Sequence, residues 1–531
     1  MRRRSTFIHT PENAYDPARI LVDESDVSFS GLDAAREERL TFGLASLPGE
    51  IVDVLTRTYE LHVRWQSETL SAKSAPYLSS LSPGLHVHFT PQKHRLNNVL
   101  CDLLRRLFSE DLSCSSPMTS FIAPEILSTD FATASSRQYY SILPSLDHFI
   151  HYIHDHICPK TESETSCHAA ADQLQHASQL DLDYDTLSST LAVTALWPRP
   201  ISLTSGWSMN ITNAVLDKTE LGIFSPSPAV NPTDLQLEGF LLDVGEHDAP
   251  KPTLFFFPSR HHVLPPPQSS AQQYQVSFDQ PTGLHPTMRI SFASTTQLRE
   301  PINKPAASTC TLHTYLTLPR VLFIDEYAFP TTKPDVLFQA ANHVVALRSI
   351  SGERDLEVPD YVVKKWGSTV LLQLDTPDEP TADTRKDTPW DTTIPLHLRY
   401  SNATAGGQQT VSIPWPVVFW ACTAEEGTKS RVNPFDRVNL GYDGLFGERT
   451  MFYHLEPDTA SNGGRMVTDM SVPVLDSDVV SHATVETVTL LVVLVGFLFL
   501  AQQIIRGMIA ERSWWNGRAN SELKSEIKKA Q

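Results

Sequence analysis

Short runs in which apolar and polar residues alternate recur along most of the chain, and they predict strands. Examples are "EIVDVLTRTYELHVRW" (50–65), "GLHVHF" (84–89), "TLFFFPS" (253–259) and "TMRISFAS" (287–294). The segment "TTIPLHLRYS" (392–401) places Ile394, Leu396, Leu398 and Tyr400 on one face, as a half-buried strand does. "TVSIPWPVVFWACTA" (410–424) is rich in β-branched and aromatic residues and reads as a largely buried strand. Its Pro414 and Pro416 belong at a strand entrance or a sheet edge. The loop "NATAGGQQ" separates these two segments, so the pair reads as a hairpin. Helical spacing shows in "NNVLCDLLRRLF" (97–108), which puts Val99, Leu103, Leu104 and Leu107 on one face. Residues 160–195 read as a helix or loop insertion. The polar stretch 375–389 reads as an exposed loop.

A different pattern closes the chain. Thr487 to Ile505 carries no charge, and Leu490 to Leu500 is apolar all round except for Gly496. At about 1.5 Å per residue, such a helix is roughly as long as a hydrocarbon core is thick. We place the span at 485–505. Arg506, Arg512, Arg518, Lys524, Lys528 and Lys529 follow it, whereas Asp476, Asp478 and Glu486 precede it. The positive-inside rule then puts the tail 506–531 in the cytoplasm and the large N-terminal part in the lumen. The start, "MRRRSTFIHTPENAYDP", lacks the apolar core of a usual signal peptide, so translocation of the large part would fall to the C-terminal span. Lys528 and Lys529 stand fourth and third from the end, the spacing of a dilysine retrieval signal for the endoplasmic reticulum. Asn210 and Asn402 head glycosylation sequons on the expected lumenal side.

Composition describes a folded chain, and its length suits two or three domains. The 38 prolines favour loops and short strands over long helices. A formal net charge of −19 argues against a nucleic-acid partner, which needs a basic surface. Six cysteines, at 101, 114, 158, 167, 310 and 422, allow fifteen disulfide pairings. The expected architecture is mainly β with minor helices. It has two sandwich-like lumenal domains, 1–262 and 288–475, joined by a proline-rich linker, 263–287.

Three constellations suggest chemistry. "HFIHYIHDHIC" brings His148, His151, His154, His156 and Cys158 together as possible zinc or copper ligands. No single regular conformation presents all four histidines, so a half-exposed amphipathic segment is the plainer reading. "DLDYD", Asp181 to Asp185, mimics an Asp-x-Asp metal site but lacks the α/β setting that such a site needs. Cys422 precedes Glu425 and Glu426, which disfavour a thiolate, so a buried or disulfide-bonded cysteine is expected. No cofactor motif appears.

Several segments in order carry a family resemblance. They are "HTYLTLPRVLFIDEY" (313–327), "LEVPDYVVKKWGS" (356–368), "IPLHLRY" (394–400), "IPWPVVFWAC" (413–422), "NPFDRVNLGYDGLFG" (433–447), "TMFYHL" (450–455) and "VPVLD" (472–476). They lead into one C-terminal span. This pattern resembles the fungal Pbn proteins, relatives of mammalian PIG-X, and "TFIHTPENAYDP" extends the likeness toward the N-terminus within the fungal branch. The resemblance implies a non-catalytic subunit of glycosylphosphatidylinositol mannosyltransferase I, with a multi-span catalytic partner in the endoplasmic-reticulum membrane. It brings no catalytic residue. Arg320, Asp325 and Glu326 are the candidate partner contacts. The alternative is a general folding factor for several membrane and secretory clients. A lumenal metal-dependent hydrolase built on the histidines ranks third.

Overall fold

The computed structural model describes the chain except residues 1, 14, 24–25, 70–75, 78–79, 93–98, 124–135, 161–163, 203, 213–217, 229–233, 245–248, 264–271, 281–282, 296–297, 332–334, 378–387, 425–442, 448, 479–481 and 530–531. Parts of the expected linker and exposed loop, Glu425 and Glu426, and most of 433–447 therefore lie outside the described residues. The fold is mainly β and divides into two units. Met1–Ser401 with Thr410–Ser471 forms the large one, and Asn402–Gln409 with Val472–Gln531 forms the small one.

A ten-stranded sheet organises the N-terminal part of the large unit. Its order is Lys251–Pro258, Asp234–Asp243, Lys218–Ser227, Arg2–Ile8, Ala35–Gly43, Thr190–Trp197, Gln179–Asp185, Thr58–Gln66, Gly84–Pro91 and Arg137–Ser141. Neighbours run antiparallel except Arg2–Ile8 beside Lys218–Ser227, which is parallel. The helix Val99–Leu107 forms as its spacing predicts. Leu100, Leu103, Leu104 and Leu107 are buried, and Arg105 and Arg106 occupy the last turn, where the helix dipole favours cations. These leucines join one apolar core with Val63, Trp65, Val87, Phe89 and Tyr139 of the sheet.

The second sheet has six strands in the order His261–Val263, Thr450–His454, Val417–Thr423, Thr309–Pro319, Gly367–Leu374 and Val344–Gly352. Thr309–Pro319 lies in its interior and is buried almost continuously from Leu312 to Leu318. A strand covered on both faces needs such an unbroken buried run. Trp366, from the C-terminal region, belongs to the N-terminal core and donates to the Gln138 carbonyl at 2.9 Å. Glu68 and Arg465 pair at 2.9 Å. The regions 1–262 and 288–475 are thus in direct contact within the large unit.

The structure differs from the sequence expectation at four places. The expected hairpin does not form: Trp390–Pro395 pairs with Thr287–Phe292, His397–Leu398 with Leu322–Phe323, and Gln408–Pro414 with Val467–Pro473. Val417–Thr423 is a separate strand, because Pro414 and Pro416 remove two ladder donors around Trp415. The first half of "EIVDVLTRTYELHVRW" is a helix, Gly49–Leu55, before the strand begins at Thr58. The expected insertion 160–195 contains Gln179–Asp185 and most of Thr190–Trp197, two strands inside the large sheet. Within the expected linker, Tyr274–Phe278 is a strand.

In the small unit, Thr404 N donates to the Leu475 carbonyl and Gly406 N to the Asp476 carboxylate. His482–Lys529 is one helix. Its portion Ala483–Ala510 is long and apolar enough to cross a membrane.

Candidate functional site

The centre of interest is the run from Thr309 to Pro330. Its strand ends at Pro319, and Arg320 N then donates to the Trp366 carbonyl. The Arg320 side chain is exposed. Leu322–Phe323 pairs with His397–Leu398 and keeps the apolar members Val321, Leu322, Phe323 and Ile324 buried. Asp325 caps the turn Glu326–Ala328 by accepting from Tyr327 N at 3.0 Å. Glu326 pairs with Arg354 at 3.2 Å. Of the three candidate contacts, Asp325 and Glu326 are half-buried and already serve the local fold, whereas Arg320 is exposed.

Arg399 supports this region from inside. Its guanidinium lies 4.3 Å over the Phe323 ring and donates to the Asp355 and Val358 carbonyls. Burial pushes its pKa down, against the pull of Glu353, Asp355 and Asp360. Sequence reading passed over this arginine, because nothing in its neighbours marks it as buried.

The other constellations resolve into structural roles. Asp147–Tyr152 runs into a wide π turn, Ile153–Ile157. His151 bonds to the Asp147 carbonyl, His154 stacks on His168 with ring centroids 4.4 Å apart, and His156 rests against Tyr152. Cys158 is bonded to Cys167. Among the described residues, no group of three or more His, Cys, Asp or Glu is placed to hold a metal ion. Asp181 pairs with the buried Arg64 at 2.9 Å, Asp183 with His62 at 2.7 Å, and Asp185 accepts from Leu187 N and Ser188 N in the hairpin turn. Cys422 is disulfide-bonded to Cys310, directly opposite it in the sheet. The remaining pair is Cys101–Cys114.

Comparison with known proteins bears on the same stretch. The PIG-X / PBN1 family matches residues 281–505. Over 97% of this chain and 97% of the relative, it is 41% identical to Protein pbn1 of Emericella nidulans. The chain belongs to the PIG-X / PBN1 family. It is also 41% identical to Protein pbn1 of Aspergillus oryzae and 34% identical to that of Neurospora crassa, over the full length of each. A solved structure, the Streptococcus agalactiae AgI/II polypeptide BspA C terminal domain, aligns at a TM-score of 0.13 and 6% identity, from which no fold relationship follows. Membership of the PIG-X / PBN1 family implies an accessory role in glycosylphosphatidylinositol-anchor biosynthesis. The family match takes in the central strand Thr309–Pro319, the turn around Tyr327 and most of the apolar helix portion.

Proposed function

We propose that this PIG-X / PBN1 protein is the non-catalytic, stabilising subunit of the endoplasmic-reticulum mannosyltransferase that adds the first mannose to the glycosylphosphatidylinositol precursor. The observation that carries the reading is the family relationship over nearly the whole chain, with the matched region running into the apolar helix. Residues 1–475 form the lumenal part, 485–505 the span and 506–531 the cytoplasmic tail. Three disulfides support a lumenal setting, because such bonds persist in oxidising compartments. Asn210 and Asn402 are both exposed, as glycan acceptors must be. Lys528 and Lys529 act as the retrieval signal.

Binding a folded partner but not its unfolded form stabilises that partner by mass action, worth about 2.7 kcal/mol at a hundredfold excess over Kd. The partner is the multi-span catalytic subunit, and Arg320, with Asp325 and Glu326 beside it, supplies polar contacts. Deletion of the protein tests this. The precursor lacking its first mannose should accumulate while the catalytic subunit disappears, and overproducing that subunit should restore part of the activity. Arg320→Ala should lower the subunit's level by a smaller amount without unfolding this chain. A block at the first mannose with normal catalytic-subunit levels would rule out stabilisation. Normal precursors with misfolding of unrelated clients would favour the general folding factor.

A further inference from the structure

The outer strands of the two large sheets are not alike. Gln138, on the outer strand Arg137–Ser141, exchanges both backbone hydrogen bonds with Ile122, and its carbonyl also accepts from Trp366 Nε1. Val344–Gly352 is irregular at two points of its register, and His261–Val263 is only three residues long. Cover, bulges and shortness keep an edge from pairing with another chain. Lys251–Pro258 has none of these. Its pairing with Asp234–Asp243 is unbroken, and among the described residues no strand lies on its far side. Leu254, Phe255 and Phe256 on it are 48%, 41% and 58% exposed. Lys251 stands outside Pro252, Asp234 and Glu238 lie one strand inward, and no charge falls between Lys251 and Ser259.

The prolines show which backbone groups face outward. Pro252 has no N–H, so its pairing with Phe240 is of the non-hydrogen-bonded kind. Direction alternates along a strand. Thr253 and Phe255 therefore turn their N–H and C=O groups toward Asp234–Asp243, and Leu254 and Phe256 turn theirs to the open side. Pro258 falls in the same outward row. Among the described residues, nothing bonds to the backbone groups of Leu254 or Phe256 on that side. Such a row fits the backbone of another extended strand.

Proline spacing selects that strand. In "PTLFFFP" (252–258) the two prolines are equally far from Phe255, so the outward row reads alike in both directions. In an antiparallel pair of two copies centred on Phe255, Leu254 faces the partner's Phe256, and the two exchange both hydrogen bonds. Moving the centre toward either proline leaves a carbonyl of Leu254 or Phe256 opposite a proline, without a donor. With Phe255 at the centre, Pro252 faces the partner's Pro258 at each end and closes the ladder. Phe255 then meets its own counterpart at a non-hydrogen-bonded position, where side chains come closest. Leucine–phenylalanine pairs add apolar contact across the strands. The Phe255 ring is already held edge-on to Phe224, at 5.2 Å. A twofold interface needs this kind of self-complementary surface.

We propose that Lys251–Pro258 pairs antiparallel with the same strand of a second copy of this chain, centred on Phe255, and joins two ten-stranded sheets into one.

The test uses the full chain with one added cysteine, oxidised by copper phenanthroline in membranes of the producing cells. The centred register sets the Phe255 Cα about 4.5 Å from its counterpart, within disulfide reach. Leu254 and its own counterpart stand diagonally, about 7–8 Å apart, beyond that reach. Phe255→Cys should therefore give several-fold more disulfide-linked dimer than Leu254→Cys. Leu254→Cys produced together with a differently tagged Phe256→Cys should cross-link as well. Unaltered copies that carry two different tags should co-purify in mild detergent. Leu254→Pro removes one outward N–H and leaves the bonds to Asp234–Asp243 in place, so it should reduce co-purification several-fold at an unchanged melting temperature. Equal cross-linking at 254 and 255 would mean random collision and overturn the proposal. Unaltered copies that do not co-purify, or co-purification that Leu254→Pro leaves intact, would overturn it too. Capture of Phe255→Cys by a different protein would assign the edge to a foreign strand and equally overturn it.

Discussion

At the scale of single residues, buried charge is stabilised where two strands face each other. Arg36 is 4% exposed, yet its guanidinium bonds the Glu38 carboxylate and lies 4.7 Å over Trp197 and 5.0 Å over Trp207. Burial works to raise the pKa of Glu38, but Arg3 and Arg36 outweigh it and hold the carboxyl below its ordinary value. A second residue, Gly367, is dictated by space. Its φ is +153°, and a Cβ there would lie 2.1 Å from the Leu318 carbonyl oxygen, inside the central strand pairing. Gly367→Ala should therefore cost about 2 kcal/mol or more. Gly283 has a φ of +51° but nothing within 4 Å, so Gly283→Ala should cost about 1 kcal/mol. Urea midpoints in mild detergent compare them, and equal losses would contradict the close approach at Gly367.

At the scale of elements, the disulfide Cys310–Cys422 joins directly paired strands across a separation of 112 residues. Cys158–Cys167 closes a separation of 9. Chain-entropy arguments give about 5 kcal/mol for the long loop and about 2.6 kcal/mol for the short one. Replacing Cys310 and Cys422 together by serine should lower the urea midpoint clearly more than the same change at Cys158 and Cys167. A reversed ranking would mean that the unfolded chain is not the main site of the effect. The short pair ties the π turn to the helix Glu164–Asp172, so it fixes local geometry more than global closure.

At the scale of the whole molecule, acid should loosen the large unit. Burial pulls the pKa of His86 down to about 4 and that of His313 to about 3, and it lowers His88 as well. An unfolded histidine titrates near 6.5, so below that pH the unfolded chain binds protons that the folded chain refuses. Stability is then fully present above about pH 6.5 and falls as pH drops toward 4. His86 and His88 lie in the ten-stranded sheet and His313 in the six-stranded one, so both sheets should weaken together. Melting temperatures between pH 7 and 4 follow this, and His86→Gln with His313→Gln should flatten the profile. Topology is tested at the same scale. Asn402→Gln should remove a glycan and increase electrophoretic mobility, while Lys528→Ser with Lys529→Ser should let the remaining glycans mature. Protease access to residues 1–480 in sealed microsomes would reverse the orientation.

The sequence by itself determined the features that depend on local order. The apolar helix, the helix Val99–Leu107 and the burial of Ile394, Leu396 and Leu398 could be read from residue spacing, and the family from the resemblance of its quoted segments. Tyr400, on the same alternating face, is exposed, because the strand His397–Leu398 ends before it. Pairing was decided by tertiary structure. Alternation tells a strand which face to bury but not which neighbour will share its ladder, since every backbone offers the same donors and acceptors. The segments 392–401 and 410–424 therefore suggested a hairpin, while each in fact pairs with distant strands. Disulfide partners followed the same logic: Cys310 meets Cys422 because two strands bring them opposite.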